Sequence, residues 1–296
     1  MTETALQFVT TSSLDMAYLD SGTGENLCLL VHGWPDDALT WTRVATQLEA
    51  QDVRTVRPYL RGFGPTRMRD ATASRSGQLV ALAHDLIEFI EALDLRDFVL
   101  VGHDWGARLS YMVAARLGDR IKGLVCLSVG YGTNGAGQQL SFEQARMYWY
   151  HWYFATELGR QALQADPEAF TRQLWAHWSP SLILDESEWL ATARSFENPD
   201  WVGVTIDSYR QRWGNSKGDP LLEADEAYFA GCPTISVPTV VLHGDEDGAT
   251  LPGMSEHKDR FFSGGYTRRV LGGVGHFIQR ENAGSVTEAV IELLRR

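Results

Sequence analysis

Cysteine, positive charge and long apolar runs are all scarce in this chain. Its three cysteines, Cys28, Cys126 and Cys232, stand far apart with no C-x-x-C pair. That excludes a disulfide framework, and Cys28 and Cys126, inside apolar runs, read as buried thiols of a reducing compartment. Lys and Arg number 26 against 38 Asp and Glu, a formal net charge of −12. A nucleic-acid partner is excluded, because phosphate binding rests on Lys and Arg. The same balance weighs against anionic membranes and strongly anionic substrates, although a local field can override a total. No basic start leads into an apolar run as in a signal peptide, and no apolar stretch reaches the roughly 18 residues of a membrane span. No P-loop, no G-x-G-x-x-G after a strand and no metal-ligand cluster is present, so the expected chemistry runs without a cofactor. The expectation is a cytoplasmic enzyme.

At 296 residues, 44% hydrophobic and 22% charged, the chain suits one large α/β domain or a core carrying an insertion. Weak strand candidates at Leu6–Thr10 and Met16–Leu19 precede Leu27–Val31, a continuous apolar run of the kind buried on both faces of a parallel sheet. A helix is predicted from Trp41 to about Ala50 with Thr40 as its N-cap, then a short strand Arg54–Arg57. The loop Arg61-Gly62-Phe63-Gly64 follows. Apolar residues recurring from Leu79 to Leu93 mark one face of an amphipathic helix. Strands Phe98–Val101 and Gly123–Val129 flank another helix running to about Leu117. After Pro238 come strand Thr239–Leu242, a helix near Ser255–Phe262, strand Thr267–Leu271 and a C-terminal helix from about Asn282. This βα alternation predicts a mostly parallel twisted sheet with helices on both faces. Between the two halves, the chain is helical in pattern and rich in aromatics. The expected organisation is an α/β core of residues 1–130 and 234–296 with a helical lid of residues 131–233.

The candidate chemistry centres on Gly102-His103-Asp104-Trp105-Gly106-Ala107, which joins a strand to a helix. Small residues on both sides of Asp104 permit the sharp turn of a nucleophile elbow, G-x-S-x-G, with Asp in place of Ser; the rival reading is an ordinary βα turn. Two later loops also follow strands: His243-Gly244-Asp245-Glu246-Asp247 and Gly272-Gly273-Val274-Gly275-His276. Both open on the carboxyl edge, where parallel sheets bind ligands. The order is nucleophile, acid, histidine. Asp247 is the expected orienting acid, with Asp245 as the alternative.

With His32-Gly33-Trp34-Pro35 added, these motifs resemble the α/β-hydrolase superfamily over nearly the whole chain, and within it the epoxide hydrolases most closely. The resemblance implies a cis peptide at Trp34–Pro35, an oxyanion hole from the N–H groups of Trp34 and Trp105, and two lid tyrosines, Tyr150 and Tyr209, over Asp104. Chemistry asks for the same residue types. A carboxylate attacking saturated carbon forms an ester that water can hydrolyse, whereas a serine would form an ether. An Asp nucleophile therefore points to an epoxide or an alkyl halide. An epoxide oxygen leaving as alkoxide needs a proton donor, which tyrosine supplies at neutral pH.

Two alternatives stay open. His151, Trp152 and Tyr209 resemble the halide-binding trio of fluoroacetate dehalogenases. Arg108 matches one of the two arginines those enzymes place on the substrate carboxylate, but Trp105 occupies the other arginine position. The fold also serves non-catalytic small-molecule receptors, and fold alone does not settle function. The expected partner is a small molecule with an apolar portion.

Overall fold

A computed structural model describes residues 5–135 and 137–296. Its strands are β1 (Ala5–Thr10), β2 (Leu14–Ser21), β3 (Asn26–Val31), β4 (Val53–Pro58), β5 (Arg67–Met68), β6 (Phe98–His103), β7 (Ile121–Leu127), β8 (Thr239–Gly244) and β9 (Tyr266–Leu271). They form one sheet in the order β1-β2-β4-β3-β6-β7-β8-β9, with β5 on β2. Pairing is antiparallel at β1–β2, β2–β4 and β2–β5, and parallel from β4 through β9.

The continuous apolar runs follow from burial on both faces. In β3, Leu27, Leu29 and Val31 enter one core while Cys28 and Leu30 enter the other; in β6, Phe98 and Leu100 oppose Val99 and Val101 in the same way. Helices Thr42–Glu49 and Ala283–Leu294 cover one face, and Leu79–Ala92 and Trp105–Arg116 the other. From Phe142 to Ala230, between β7 and β8, the described regular elements are all helical. No described helix is long and apolar enough to cross a membrane.

Three local expectations are corrected. The first helix opens as a 3-10 turn, Ala38–Trp41, and its side-chain cap is Asp37, which accepts from Leu39 N; Thr40 lies inside the turn. The helix expected near Ser255–Phe262 is two short 3-10 turns, Pro252–Ser255 and Asp259–Phe261. His257 takes φ 54° between them, and Ser255 Oγ is held by His243 Nδ1 and Arg268 Nε at 3.0 and 2.9 Å. These long-range bonds compete with helical continuation. The strand expected at Arg54–Arg57 runs through Pro58, whose missing N–H costs nothing at the strand's last residue.

The loop before β5 is anchored by a buried pair. Arg61 grips Asp85 of helix Leu79–Ala92 through Nε and Nη2, both at 2.7 Å, with neither side chain more than 9% exposed. Breaking such a pair leaves a buried charge without its partner. Arg61→Met should therefore cost about 3–5 kcal/mol in denaturant unfolding, and Arg61→Met with Asp85→Leu should recover most of it.

Candidate active site

Asp104 sits where β6 ends and helix Trp105–Arg116 begins, at φ 50° and ψ −113°. Non-glycine residues seldom hold a positive φ, and neighbours must enforce it. Here the backbones touch. A Cβ on Gly102 would come within 2.3 Å of the Gly106 carbonyl oxygen, and one on Gly106 within 2.2 Å of Val31 O. The two glycines let helix and strand close around the turn. Asp104 then projects from the carboxyl edge with its side chain 13% exposed.

The H-G-W-P loop after β3 lies against it. Trp34–Pro35 is cis, and Trp34 N donates to Asp104 Oδ1 at 3.1 Å. The Trp105 N–H is among the first amides of its helix, which have no intrahelical acceptor. His32 holds the loop: its Nε2 accepts from Leu60 N at 3.0 Å, and its Nδ1 donates to Gly33 O at 3.0 Å. Burial lowers its pKa to about 4, so the ring is neutral at physiological pH.

His276 and Asp247 arrive from the loops after β9 and β8. His276 Nδ1 lies 3.0 Å from both Asp247 oxygens. Its Nε2 is buried with no hydrogen-bond partner among the described residues, 4.0 Å from Asp104 Oδ2. Burial disfavours charge on both members of the pair. Attraction between them overrides it, raising His276 above its ordinary pKa and holding the Asp247 carboxyl below the carboxylate range. Ala249 N and Thr250 N also donate to Asp247 Oδ1 at 2.8 Å. Asp245 is exposed and accepts from Gly273 N at 2.7 Å. It caps the neighbouring turn and makes no bond to His276.

Helices Trp149–Phe154 and Trp201–Arg212 bring Tyr150 and Tyr209 together, with ring centroids 5.3 Å apart. Both are buried. Tyr150 stacks on Trp34 at 5.7 Å, and Tyr209 lies 5.2 Å from Trp34 and 5.7 Å from Trp105. Burial and the Asp104 charge raise the Tyr209 pKa; burial, Tyr209 and then Asp104 raise that of Tyr150, so both phenols stay protonated.

Of the expected trio, the structure brings His151 and Tyr209 together and turns Trp152 away. His151 packs 4.6 Å from Tyr209 and accepts from Trp213 Nε1 at 3.0 Å. Trp152 is 40% exposed, and its indole N–H is spent on Ala145 O at 2.9 Å. One helical position past His151, it is carried about 100° around the axis onto the outer face. Arg108 is buried one turn after Asp104, where Nη1 donates to Thr133 O at 2.6 Å.

Trp178, one of the aromatics of the helical segment, ties two loops of the site together. Its carbonyl accepts from both Gly248 N, at 3.0 Å, and His276 N, at 2.9 Å, and its ring lies 5.0 Å from His276 and 5.2 Å from Tyr150. A backbone acceptor leaves no signal in residue type. His103 was read only as part of the elbow motif. Its Nε2 donates to His276 O at 3.0 Å, and Ser128 Oγ donates to the same oxygen at 2.8 Å.

A sequence profile of the α/β hydrolase fold family matches residues 26–283. The chain is 27% identical to an epoxide hydrolase of Caballeronia sordidicola over 97% of this chain and 92% of that one. It is 29% identical to a fluoroacetate dehalogenase of Burkholderia sp, over 65% of this chain and 58% of the other. A candidate epoxide hydrolase from Klebsiella pneumoniae subsp. pneumoniae MGH 78578, known from its crystal structure, is 34% identical. It superposes with a TM-score of 0.91, covering 98% of this chain and 97% of that one.

Beside the H-G-W-P loop, Asp37 is buried next to Asp36 and accepts from Ser195 Oγ of the helical segment at 2.6 Å. Burial and the Asp36 charge push its pKa up to about 7. The folded state therefore keeps a proton that the unfolded chain loses near pH 4, and stability falls as pH rises between those values. In Asp37→Asn this contribution is absent: its melting temperature should gain on the wild type as pH is raised from 5 to 8. A constant difference across that range would contradict the assignment.

Proposed function

The chain belongs to the α/β-hydrolase fold family, and we propose that it opens epoxides to vicinal diols in two covalent steps at Asp104. One observation carries this reading. Asp104 Oδ1 already occupies the Trp34 N–H, while Oδ2 faces the partnerless Nε2 of His276 at 4.0 Å. In the first step Oδ2 attacks an oxirane carbon and the carbon–oxygen bond breaks. The leaving alkoxide takes a proton from Tyr150 or Tyr209, giving a hydroxyalkyl ester of Asp104. In the second step His276 Nε2 removes a proton from water, and the hydroxide adds to Cγ of Asp104. The resulting oxyanion at Oδ1 is held by the N–H groups of Trp34 and Trp105, donors each worth ~3–4 kcal/mol in comparable sites. Collapse of this adduct expels the second diol oxygen, which takes the proton of the added hydroxyl as the Asp104 carboxylate re-forms, and the proton held on His276 returns through solvent to the tyrosinate, restoring both groups.

Asp247 orients the imidazole and stabilises the imidazolium. The segment 131–233 acts as the lid, supplying both tyrosines. The names of the relatives agree with this substrate class, and the outward turn of Trp152 removes one donor from the dehalogenase arrangement. A second reading has one observation in its favour: the indole N–H groups of Trp34 and Trp105 are buried without acceptors among the described residues. Two such donors suit a departing halide.

Single turnover of styrene oxide in ¹⁸O water by excess enzyme decides between them. Diol formation with label entering Asp104 supports epoxide opening, and release of halide from chloro- or fluoroacetate without epoxide turnover selects the second reading. Asp104→Asn should abolish turnover, and His276→Gln should accumulate the ester, visible by mass spectrometry. Tyr150→Phe with Tyr209→Phe should slow ester formation at least ~100-fold, the usual scale of a lost proton donor.

The pH dependence of ester hydrolysis follows from the pair. His276 must be neutral to accept a proton, so the rate climbs as pH rises through its raised pKa. Asp247→Asn should shift that climb to lower pH while lowering the plateau; an unmoved midpoint would separate Asp247 from the base.

A further inference from the structure

One histidine of the acid loop takes no part in the two steps above. His243 is the penultimate residue of β8, four positions before Asp247, and its side chain is wholly buried. Nε2 lies 2.8 Å from Thr250 O and 3.5 Å from Asp247 Oδ2. A carbonyl and a carboxylate only accept, so Nε2 carries a ring proton. Nδ1 meets the Ser255 hydroxyl at 3.0 Å, and Arg268 Nε donates to the same oxygen at 2.9 Å. The ring is thus fixed on both sides and turns an N–H into the acid loop.

That loop closes on its own carboxylate. Asp247 Oδ1 accepts from Ala249 N and Thr250 N, both at 2.8 Å, which makes residues 247–250 a side-chain-closed turn. His243 pins the carbonyl at the far end of it. The two amides hold Oδ1 alone; besides His276, the group facing Oδ2 is the His243 N–H. Both Asp247 oxygens stand 3.0 Å from His276 Nδ1. Rotation of the carboxylate would spoil this equal approach, and the pinned turn resists such rotation.

We propose that His243 is a positioning residue for ester hydrolysis: by holding Thr250 O it keeps Asp247 square to His276, so that the base is aligned when water attacks. The assignment rests on the two-step reading for its kinetic consequence, but not for the alignment itself. The charged and titratable groups facing His276 are Asp247, Asp104 and Glu281, with the His103 ring 4.7 Å away. Those facing His243 are Asp247 and, behind Ser255, Arg268. Of these contacts, His243 controls the one between Asp247 and His276.

The test uses two amides of different length. His243→Gln carries its N–H near the Nε2 position, within reach of Thr250 O. His243→Asn carries its amide near the Nδ1 position, where it meets Ser255 and stops short of Thr250. In His243→Asn, loss of the Asp104 ester after a single turnover, followed by mass spectrometry, should slow by roughly 10- to 100-fold, the scale of a group displaced by up to about 1 Å. Ester formation, which uses Asp104, Tyr150 and Tyr209, should keep its rate, and His243→Gln should recover most of the hydrolysis. The climb of hydrolysis with pH should move to lower pH in His243→Asn, because a loosened Asp247 supports the imidazolium less. Equal slowing of both steps, an unmoved climb, or His243→Gln as slow as His243→Asn overturns the assignment. Ser255→Ala, which frees the other side of the ring, should move hydrolysis and its climb the same way by less; it carries the test if His243→Asn does not fold, and no change in it then counts against the role. NMR titration of the free enzyme separates alignment from reaction. The His276 imidazole should titrate at lower pH in His243→Asn than in wild type or His243→Gln. That shift supports the positioning role even if no epoxide is opened, in which case the chemistry at Asp104 is what fails. Identical titration in all three proteins removes the role whether or not epoxides turn over.

Discussion

Everything at the carboxyl edge depends on a contact between main chains. The Gly102 and Gly106 backbones approach each other and Val31 too closely for any side chain at either glycine. That approach forces Asp104 to a positive φ, and the turn delivers its carboxylate to the Trp34 amide. A residue with a Cβ at either position would have to push helix Trp105–Arg116 off the sheet. The same movement would withdraw Asp104 from His276, which arrives on a separate strand and cannot follow. Strain at one residue is thus maintained by two glycines, as expected where a structure over-determines an unfavourable conformation.

Around this turn, histidines do structural work that the motif does not advertise. His32 and His103 are both buried and held neutral, their pKa values lowered to about 4 and about 3 chiefly by burial. Each fixes a loop by donating through one ring nitrogen and accepting through the other: His32 between Gly33 O and Leu60 N, His103 between His276 O and Gln279 Nε2. His276 differs from them in having a carboxylate on one nitrogen and, among the described residues, no hydrogen-bond partner on the other. Burial, which all three share, keeps His32 and His103 neutral, and the Asp247 carboxylate is what sets His276 apart from them.

The sheet was legible because each buried strand is an apolar run feeding two cores, and the amphipathic helices carry their own period. The order Asp104, Asp247, His276 was legible for a related reason: each residue follows a strand, and parallel strands deliver their following loops to one edge. What was not legible depended on partners distant in sequence. Ser255 is claimed by His243 and Arg268, so the helix expected there gives way to two turns. Asp245 and Asp247 look interchangeable in sequence, and only the structure shows that His276 bonds to Asp247 while Asp245 accepts from Gly273 N. Trp152 and Arg212 exchange the places that residue type would assign. The tryptophan turns outward, whereas the arginine, at a helix end where basic residues are commonplace, lines a cavity against the core.

The Trp178 carbonyl accepts from amides of both the acid loop and the histidine loop. The helical segment is therefore tied to both loops through its main chain. Loss of this contact would strip the Gly248 and His276 amides of their acceptor and loosen the Asp247 and His276 loops together. The helix that carries Tyr209 and Arg212 lacks a comparable main-chain tie to those loops among the described residues.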